Sequence, residues 1–323
     1  MKKWEIFPVW FRILRGYNPF LSIEITRECP LRCPGCYAYD ANHLNNGKTI
    51  RQGAEFRGND LVESVLALVQ RRRPKHLSIV GGEPLLRHKE LDILLPRLNT
   101  MGIEVQLVTS AVLPIPMAWN RLPNLHLSVS VDGLPPEHDL RRSPASYGRI
   151  LKNIEGHKIN VHCVIMRSML LRPDYLSEFA DYWSGLNATK KIWFSLYTPQ
   201  QGENSEEMLN AEERTRAIHS LARLKKDFPK VQAADVILNG YRNPPSSPRE
   251  CIFAQTTACL SPDLETPITP CQIGGRPDCR QCGCFASAAL AAFSRFKLAG
   301  TITIGDIFRL SQKIGTRFNR EKA

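Results

Sequence analysis

Six short runs rich in Val, Ile and Leu alternate with helix-length segments between Phe20 and Tyr197, and this alternation limits the fold more than any other feature. The runs are Leu21 to Thr26, His76 to Val80, Ile103 to Val108, Leu125 to Val131, Asn160 to Ile165 and Lys191 to Leu196. Each is bounded by turn residues and reads as a strand buried on both faces. The intervening segments include Asp60 to Arg73, Lys89 to Met101, Ser146 to Gly156 and Pro173 to Leu186. Helical apolar spacing is clear in the first, at Leu61, Val65, Leu68 and Val69. Six βα units predict an α/β fold in which a parallel sheet with right-handed crossovers curves into part of a barrel. In such sheets the chemistry sits at the carboxyl ends of the strands.

Beyond Tyr197 the character changes. Residues 199 to 210 are polar and acidic, and Asn210 followed by Glu213 predicts a capped helix running to about Lys226. Asn243-Pro244-Pro245-Ser246-Ser247-Pro248 reads as a stiff linker, because consecutive prolines continue neither a helix nor a central strand. The chain therefore divides into an amphipathic amino-terminal segment (1–20), the barrel (21–198), a helical connector with its Pro-rich linker (199–250), a Cys-rich region (251–290) and a basic tail (291–323).

The longest small apolar run, Ala286 to Phe293, is far short of the roughly 20 residues that cross a bilayer. Glu5, Pro8 and Arg12 interrupt any signal-peptide core, so the chain reads as cytoplasmic. Thiols stay reduced there, and a patterned set is then a sign of metal binding or catalysis rather than of disulfides. Of the ten cysteines, three lie between residues 29 and 36, six lie between 251 and 284, and Cys163 stands alone.

The first strand runs into Glu28-Cys29-Pro30-Leu31-Arg32-Cys33-Pro34-Gly35-Cys36-Tyr37. Three thiolates at CxxxCxxC spacing can converge on one side of an iron–sulfur cluster held in a loop. Three ligands for four irons leave one iron open, as a catalytic centre requires. The alternative is a structural zinc site, which wants a fourth ligand nearby, and His43 is the nearest candidate.

Here the chain resembles the radical S-adenosylmethionine superfamily, whose hallmark is CxxxCxxC after the first strand of a partial (β/α)6, TIM-like barrel. The resemblance implies a catalytic [4Fe-4S] cluster on Cys29, Cys33 and Cys36. It further implies that the open iron is chelated by the amino and carboxylate groups of S-adenosylmethionine, whose reductive cleavage yields a 5′-deoxyadenosyl radical. An external electron donor of flavodoxin or ferredoxin type is implied as partner. The residue before the third cysteine is usually aromatic in the family and is Gly35 here; Tyr37, one place on, is the candidate for contact near the adenine. Gly81-Gly82-Glu83-Pro84 ends the second strand and resembles the family's GGEP element, in which glycines allow close backbone approach and a carboxylate suits the ligand's ammonium group. The third strand ends in Val108-Thr109-Ser110, like the family's polar stop. The fourth reads Leu127-Ser128-Val129-Ser130-Val131-Asp132-Gly133, followed by Arg141 and Arg142, and resembles the segment that meets the cofactor's ribose and carboxylate. The cofactor contacts implied are Tyr37, Gly81, Gly82, Glu83, Pro84, Thr109, Ser130, Asp132 and Arg142, while Ser128 reads equally well as a small barrel-filling residue.

The carboxyl-terminal set runs Cys251, Cys259, Cys271, Cys279, Cys282 and Cys284, with Thr257 to Thr269 predicted as a hairpin turning at Ser261 to Leu264. This layout resembles the SPASM or twitch extension that houses auxiliary four-iron clusters. The resemblance implies one auxiliary [4Fe-4S] cluster on Cys251 and Cys271, completed by two of Cys279, Cys282 and Cys284. Cys259 and Cys163 read as small buried hydrophobes. A zinc knuckle is the rival for Cys279 and Cys282.

The substrate implied is a small molecule, a lipid-like molecule or a peptide. The first strand opens at Leu21, so no added amino-terminal peptide-recognition domain is expected. Trp4, Phe7, Trp10, Phe11 and Leu14 fall near one face of a short basic helix, and Ile304, Ile307, Phe308, Ile314 and Phe318 do so in the tail. Basic amphipathic segments can touch an anionic membrane, and equally can cap the barrel. The net charge of +12 is compatible with RNA, but no recognised RNA module is present and no specific nucleic-acid signal is read. A non-enzymatic iron–sulfur or zinc protein for binding or electron transfer is the remaining alternative.

Overall fold

The structure, a computed structural model, describes residues 6–144, 147–295, 297–299 and 301–320. All six expected strands form, within two residues of their sequence bounds: β1 Phe20–Glu24, β2 His76–Val80, β3 Glu104–Thr109, β4 Leu125–Ser130, β5 Ile159–Ile165 and β6 Thr189–Leu196. They pair in parallel, in the order β6-β5-β4-β3-β2-β1.

A seventh strand, β7 (Thr257–Leu260), extends this sheet beyond β1, in parallel register from Phe20↔Thr257 to Ile23↔Leu260. The sequence pattern placed these residues wholly in a hairpin. The hairpin survives only as a narrow return, with Ser261 N–H donating to Thr266 O and Ile268 N–H to Cys259 O, both at 2.9 Å. The reason for the extra pairing is the free edge of β1, whose N–H and C=O groups need partners.

The sheet faces differ, contrary to the expectation that both are apolar. One face carries Leu21, Ile23, Leu77, Ile79, Val105, Leu107, Leu127, Val129 and Val161, buried in a single core. Against it pack helices that include α2 (Gly58–Arg72), α3 (His88–Thr100) and, after α4 (Glu137–Arg141) and α5 (Tyr147–Asn153), α6 (Tyr175–Gly185), where Trp183 is fully buried. Strand alternation sends Ser22, Glu24, Ser78, Gln106, Ser128, Ser130, Asn160, His162 and Ser195 to the other, concave face.

Asn210 caps α7 (Ala211–Asp227) as the capping box predicts, its side chain accepting from Glu213 N–H while Glu213 reaches back to Asn210 N–H. Then come α8 (Asp235–Arg242), α9 (Ile252–Thr256) and α10 (Phe285–Ser294). The Cys-rich stretch ahead of α10 also grips β6. Leu196 N–H donates to Gly283 O at 2.9 Å, Gly283 N–H to Thr198 Oγ1 at 2.9 Å and Phe285 N–H to Ser195 Oγ at 3.1 Å. The extension is therefore joined to both sides of the sheet, through β7 at β1 and through residues 283–285 at β6.

The flanking amphipathic segments form α1 (Ile6–Leu14) and, after the short strands Lys297–Ala299 and Ile302–Thr303, α11 (Ile304–Arg320). Their apolar stripes meet each other: Ile13, Ile304 and Phe308 are buried together with Ile252, and Trp10 Nε1 donates to Ser311 Oγ at 2.7 Å. Phe11 and Ile314 stay exposed. Trp4 and the side chains of Phe7 and Phe318 lie outside the described residues. No described helix is long and apolar enough to cross a membrane. Because Phe308 is core rather than a free membrane face, Phe308→Ala should destabilise the protein in plain buffer by about 3 kcal/mol, read as a lowered thermal midpoint. A stripe used only for lipid would leave that midpoint unmoved.

Candidate active site

The residues after β1 form a loop that ends in the turn Tyr37–Tyr39. Its base is clamped by Glu55, buried at the side chain, which accepts from Thr26 Oγ1 (3.0 Å), Arg27 N–H (2.9 Å) and Arg87 (2.8 Å). Arg87 also bonds Glu28 at 2.9 Å. Cys29, Cys33 and Cys36 follow, all free and half-buried, with Cys36 N–H donating to Cys33 O at 3.3 Å. Burial pushes the Cys29 thiol up to about 11, and negative charge on Glu83, Cys33 and Cys36 adds to the shift. Burial raises Cys33 too, against the pull of Arg142 and Arg141. Cys29 and Cys33 thus resist ionising on their own, and a cationic metal centre would favour their thiolates.

Beside them, β2 ends in a turn that only glycine can make. Gly81 and Gly82 have φ of 81° and 53°, and a Cβ at either would strike Glu24 or the carbonyls of Glu28 and Thr26. The turn brings Glu83 N–H to Glu28 O at 2.8 Å. The family resemblance offered the Glu83 carboxylate to a ligand's ammonium group. That carboxylate is 1% exposed and already accepts four bonds, from Leu85 N–H (3.0 Å), Thr109 Oγ1, Ser110 N–H (2.8 Å) and Ser110 Oγ. Glu83 thus ties the end of β2 to the end of β3, and Pro84 opens the short helical turn that follows it.

Asp132, just past β4, is 3% exposed. It pairs with Arg142 Nε at 2.8 Å and accepts from Val164 N–H at 3.2 Å. Although burial opposes its charge, Arg142 and then Arg141 hold its carboxyl below the usual range. Arg141 bonds Glu207 at 2.8 Å and the carbonyl of Pro34, which brings the cysteine loop to the end of α4. Gly35 departs from the aromatic expected there because its φ of 61° is one that side chains rarely adopt, and the Glu207 carboxylate lies 3.3 Å from where a Cβ would sit. Ser128 and Ser130 are buried at the end of β4.

Tyr37 turns away toward the Cys-rich region, its ring 5.6 Å from that of His43. His43, the fourth ligand a zinc site would have used, is committed elsewhere. Its Nε2 meets Glu24 Oε1 at 2.8 Å and its Nδ1 meets Ile273 O at 3.0 Å, with both side chains fully buried. Glu24, which the motifs passed over, stands out only as a carboxylate in a strand of otherwise uncharged residues.

The carboxyl-terminal thiols flank Gln272 and Ile273, which contact this pair. Cys251 is buried at the start of α9, with Sγ 3.3 Å from Ser287 Oγ. Burial drives Cys271 up to about 12, with Cys259, Cys282 and Cys251 adding repulsion. Burial likewise lifts Cys279 to about 11, beside Cys282 and Cys251, and raises Cys284, beside Cys282 and Cys271. Cys251 and Cys282 thus bear on Cys271, Cys279 and Cys284 alike. Among the described residues, no three His, Cys, Asp or Glu groups stand in an arrangement that would hold a single metal ion. Cys259 lies in a small apolar cluster with Leu44, Ile50 and Ile268, and Cys163 in the main core, as their reading as buried hydrophobes expects.

His138, fully buried on α4, takes Asp132 N–H on Nδ1 at 3.1 Å. Burial pushes its imidazole down to about 4, with Arg142 adding to the effect. The folded protein therefore keeps His138 neutral, while the unfolded chain takes up its proton below about 6.5. This contribution to stability is complete above that pH and is lost as pH falls toward 4. The thermal midpoint of the metal-free protein should accordingly drop between about pH 7 and 5, and His138→Gln should flatten part of that slope.

The family model described as "Radical SAM superfamily" matches residues 23–182. A 7-carboxy-7-deazaguanine synthase of Hyperthermus butylicus is 33% identical over 146 residues, covering 43% of this chain and 58% of that protein. Molybdenum cofactor biosynthesis protein 1 of Bos taurus is 25% identical over 238 residues, 67% of this chain and 34% of the relative. The chain thus spans 58% and 34% of the length of these relatives. Native anSMEcpe with bound AdoMet and Cp18Cys peptide shares the fold, with a TM-score of 0.58 at 14% identity over 94% of this chain and 96% of that one. The sequence match falls on the strands and loops that carry the three thiols and the Gly81–Gly82 turn, and residues 23–182 form a radical SAM domain.

Proposed function

We propose that the chain is a radical enzyme that cleaves S-adenosylmethionine and uses the resulting radical on a polar, water-soluble substrate. The observation that carries the cleavage step is the half-buried Cys29, Cys33 and Cys36 set beside the Gly81–Gly82 turn. When bound to these thiolates, a four-iron cluster supplies the open iron and the electron for reductive cleavage of the sulfur–carbon bond. Gly81 and Gly82 let the end of β2 close on Glu24 and on the carbonyls of Thr26 and Glu28 beside the cysteine loop, and Glu83 braces the turn through Thr109 and Ser110. Pro84 continues that turn, and Ser130 stands at the mouth of the barrel. Asp132 fixes the Arg142 guanidinium so that it can meet a carboxylate. Tyr37 is proposed to lie between cofactor and extension, and an external one-electron donor of flavodoxin or ferredoxin type feeds the cluster.

A second four-iron cluster on Cys251 and Cys271, with two of Cys279, Cys282 and Cys284, is supported by the closeness of these thiols, since Cys251 and Cys282 bear on Cys271, Cys279 and Cys284 alike. A water-soluble substrate is favoured over a lipid-like one by the concave face of the sheet. Gln106, Asn160, His162 and Ser195 line it, and Asn160 Oδ1 is buried without a hydrogen-bond partner among the described residues. An acyl chain would leave such groups unpaired. Relatives named for 7-carboxy-7-deazaguanine synthesis and molybdenum cofactor biosynthesis favour the same small, polar class.

Anaerobic reconstitution should load about eight irons, and reductant with S-adenosylmethionine should give 5′-deoxyadenosine. Cys33→Ala should abolish that product, whereas Cys271→Ala should keep it while halving the iron. Bound zinc with no nucleoside product would overturn the proposal. For the substrate, the water-soluble fraction of a cell extract should accelerate 5′-deoxyadenosine formation. Acceleration by the chloroform-soluble fraction alone would instead establish the lipid reading.

A further inference from the structure

Arg214, in the first turn of α7, is a half-buried guanidinium whose bonds end on no carboxylate. Among the described residues, Nη1 donates to Gln281 O at 2.9 Å, and Nη2 donates to Cys282 O at 2.7 Å and Tyr241 O at 2.9 Å. Two of these carbonyls belong to the turn that carries Cys279 and Cys282. The carboxylate that bears on its charge is Asp278. That group is engaged with Arg280 N–H at 3.1 Å and Gln281 Nε2 at 2.9 Å. Carbonyl dipoles satisfy the N–H donors but leave a full positive charge, and a guanidinium does not shed it by losing a proton. A buried charge without a counterion is costly, and its presence points to an anion that the amino acids around it do not supply.

The thiolates of the carboxyl-terminal set provide that anion once they bind iron, and Cys282 is the first of the negative neighbours acting on Arg214. We propose that Arg214 is a positioning residue that acts electrostatically, its fixed charge raising the reduction potential of the iron–sulfur centre held by the carboxyl-terminal cysteines. The inference rests on the proposal that such a centre exists. Reduction adds one electron to the centre, breaks no bond and moves no proton. The centre with its thiolates becomes more negative, and a cation held beside Cys282 makes that state less unfavourable. The other basic side chains of the segment, Arg276 and Arg280, are exposed, and water screens their charge. Arg214 is the one held inward by three carbonyls.

The test uses the full chain carrying Cys33→Ala, so that only the carboxyl-terminal centre loads, titrated with dithionite and followed by electron paramagnetic resonance. Arg214→Gln keeps donors for the carbonyls and drops the charge, whereas Arg214→Lys keeps the charge. Arg214→Gln should lower the reduction equilibrium about tenfold, a shift of about 59 mV downward for one electron. Arg214→Lys should titrate close to the parent. Asp278→Asn removes the opposing charge while keeping an acceptor for Arg280 N–H, and should shift the midpoint upward; it decides the matter if Arg214→Gln takes up no iron. A midpoint that Arg214→Gln leaves unmoved, or one that Gln and Lys lower equally, overturns the assignment. If Cys33→Ala alone binds no iron, it is the second cluster itself that fails, and the electrostatic role falls with it.

Discussion

The close passage of β2 beneath the end of β1 is the contact on which the site depends. Gly81 and Gly82 sit where any side chain would collide with Glu24 or with the carbonyls of Thr26 and Glu28. Because the two strand ends can approach, Glu83 N–H reaches Glu28 O, immediately before Cys29. The cysteine loop is therefore registered against the second strand by backbone bonds and clamped by Glu55 and Arg87. Flexible loops seldom hold three ligands in a fixed relation, and here fixed strand ends do the holding.

The same strand end faces the opposite way as well. Glu24 leaves β1 as a buried carboxylate, meets His43, and through His43 touches Ile273 in the Cys-rich region. Gln272 adds a bond to Glu24 at 3.2 Å. Two thiol sets far apart in sequence are thus fastened to one polar cluster, and burial pushes the Glu24 carboxyl up, so its proton is held more tightly than an exposed glutamate would hold it.

Much of this was legible from residue order. The alternation of apolar runs with helical segments fixes six strands, because each needs a run of apolar residues and a crossover. CxxxCxxC and Gly-Gly-Glu-Pro carry their own geometry and could be read locally, as could the Asn210 cap. What escaped depended on distance in the chain. β7 is a four-residue strand whose partner lies far away in sequence, and nothing within it distinguishes a hairpin arm from a sheet edge. The bonds that Glu83 accepts could not be read locally either, because those hydroxyls and the N–H come from the end of the next strand. The polar concave face was present all along as Ser22, Ser78, Gln106, Asn160 and His162 at every second position, a signal masked by reading the strands as apolar on both sides. Arg214 gave no sign at all, since its partners are main-chain atoms.

The double attachment of the Cys-rich region alters how the barrel behaves as an object. An open sheet can splay at its free margins, and its mouth would then have no set width. Here the chain from Leu260 to Phe285 runs from the margin at β1 across to the margin at β6, like a belt fastened at two buckles. The circumference of the mouth is then set by the contour of that belt. The number of residues between the two fastenings therefore limits how far the two margins can part.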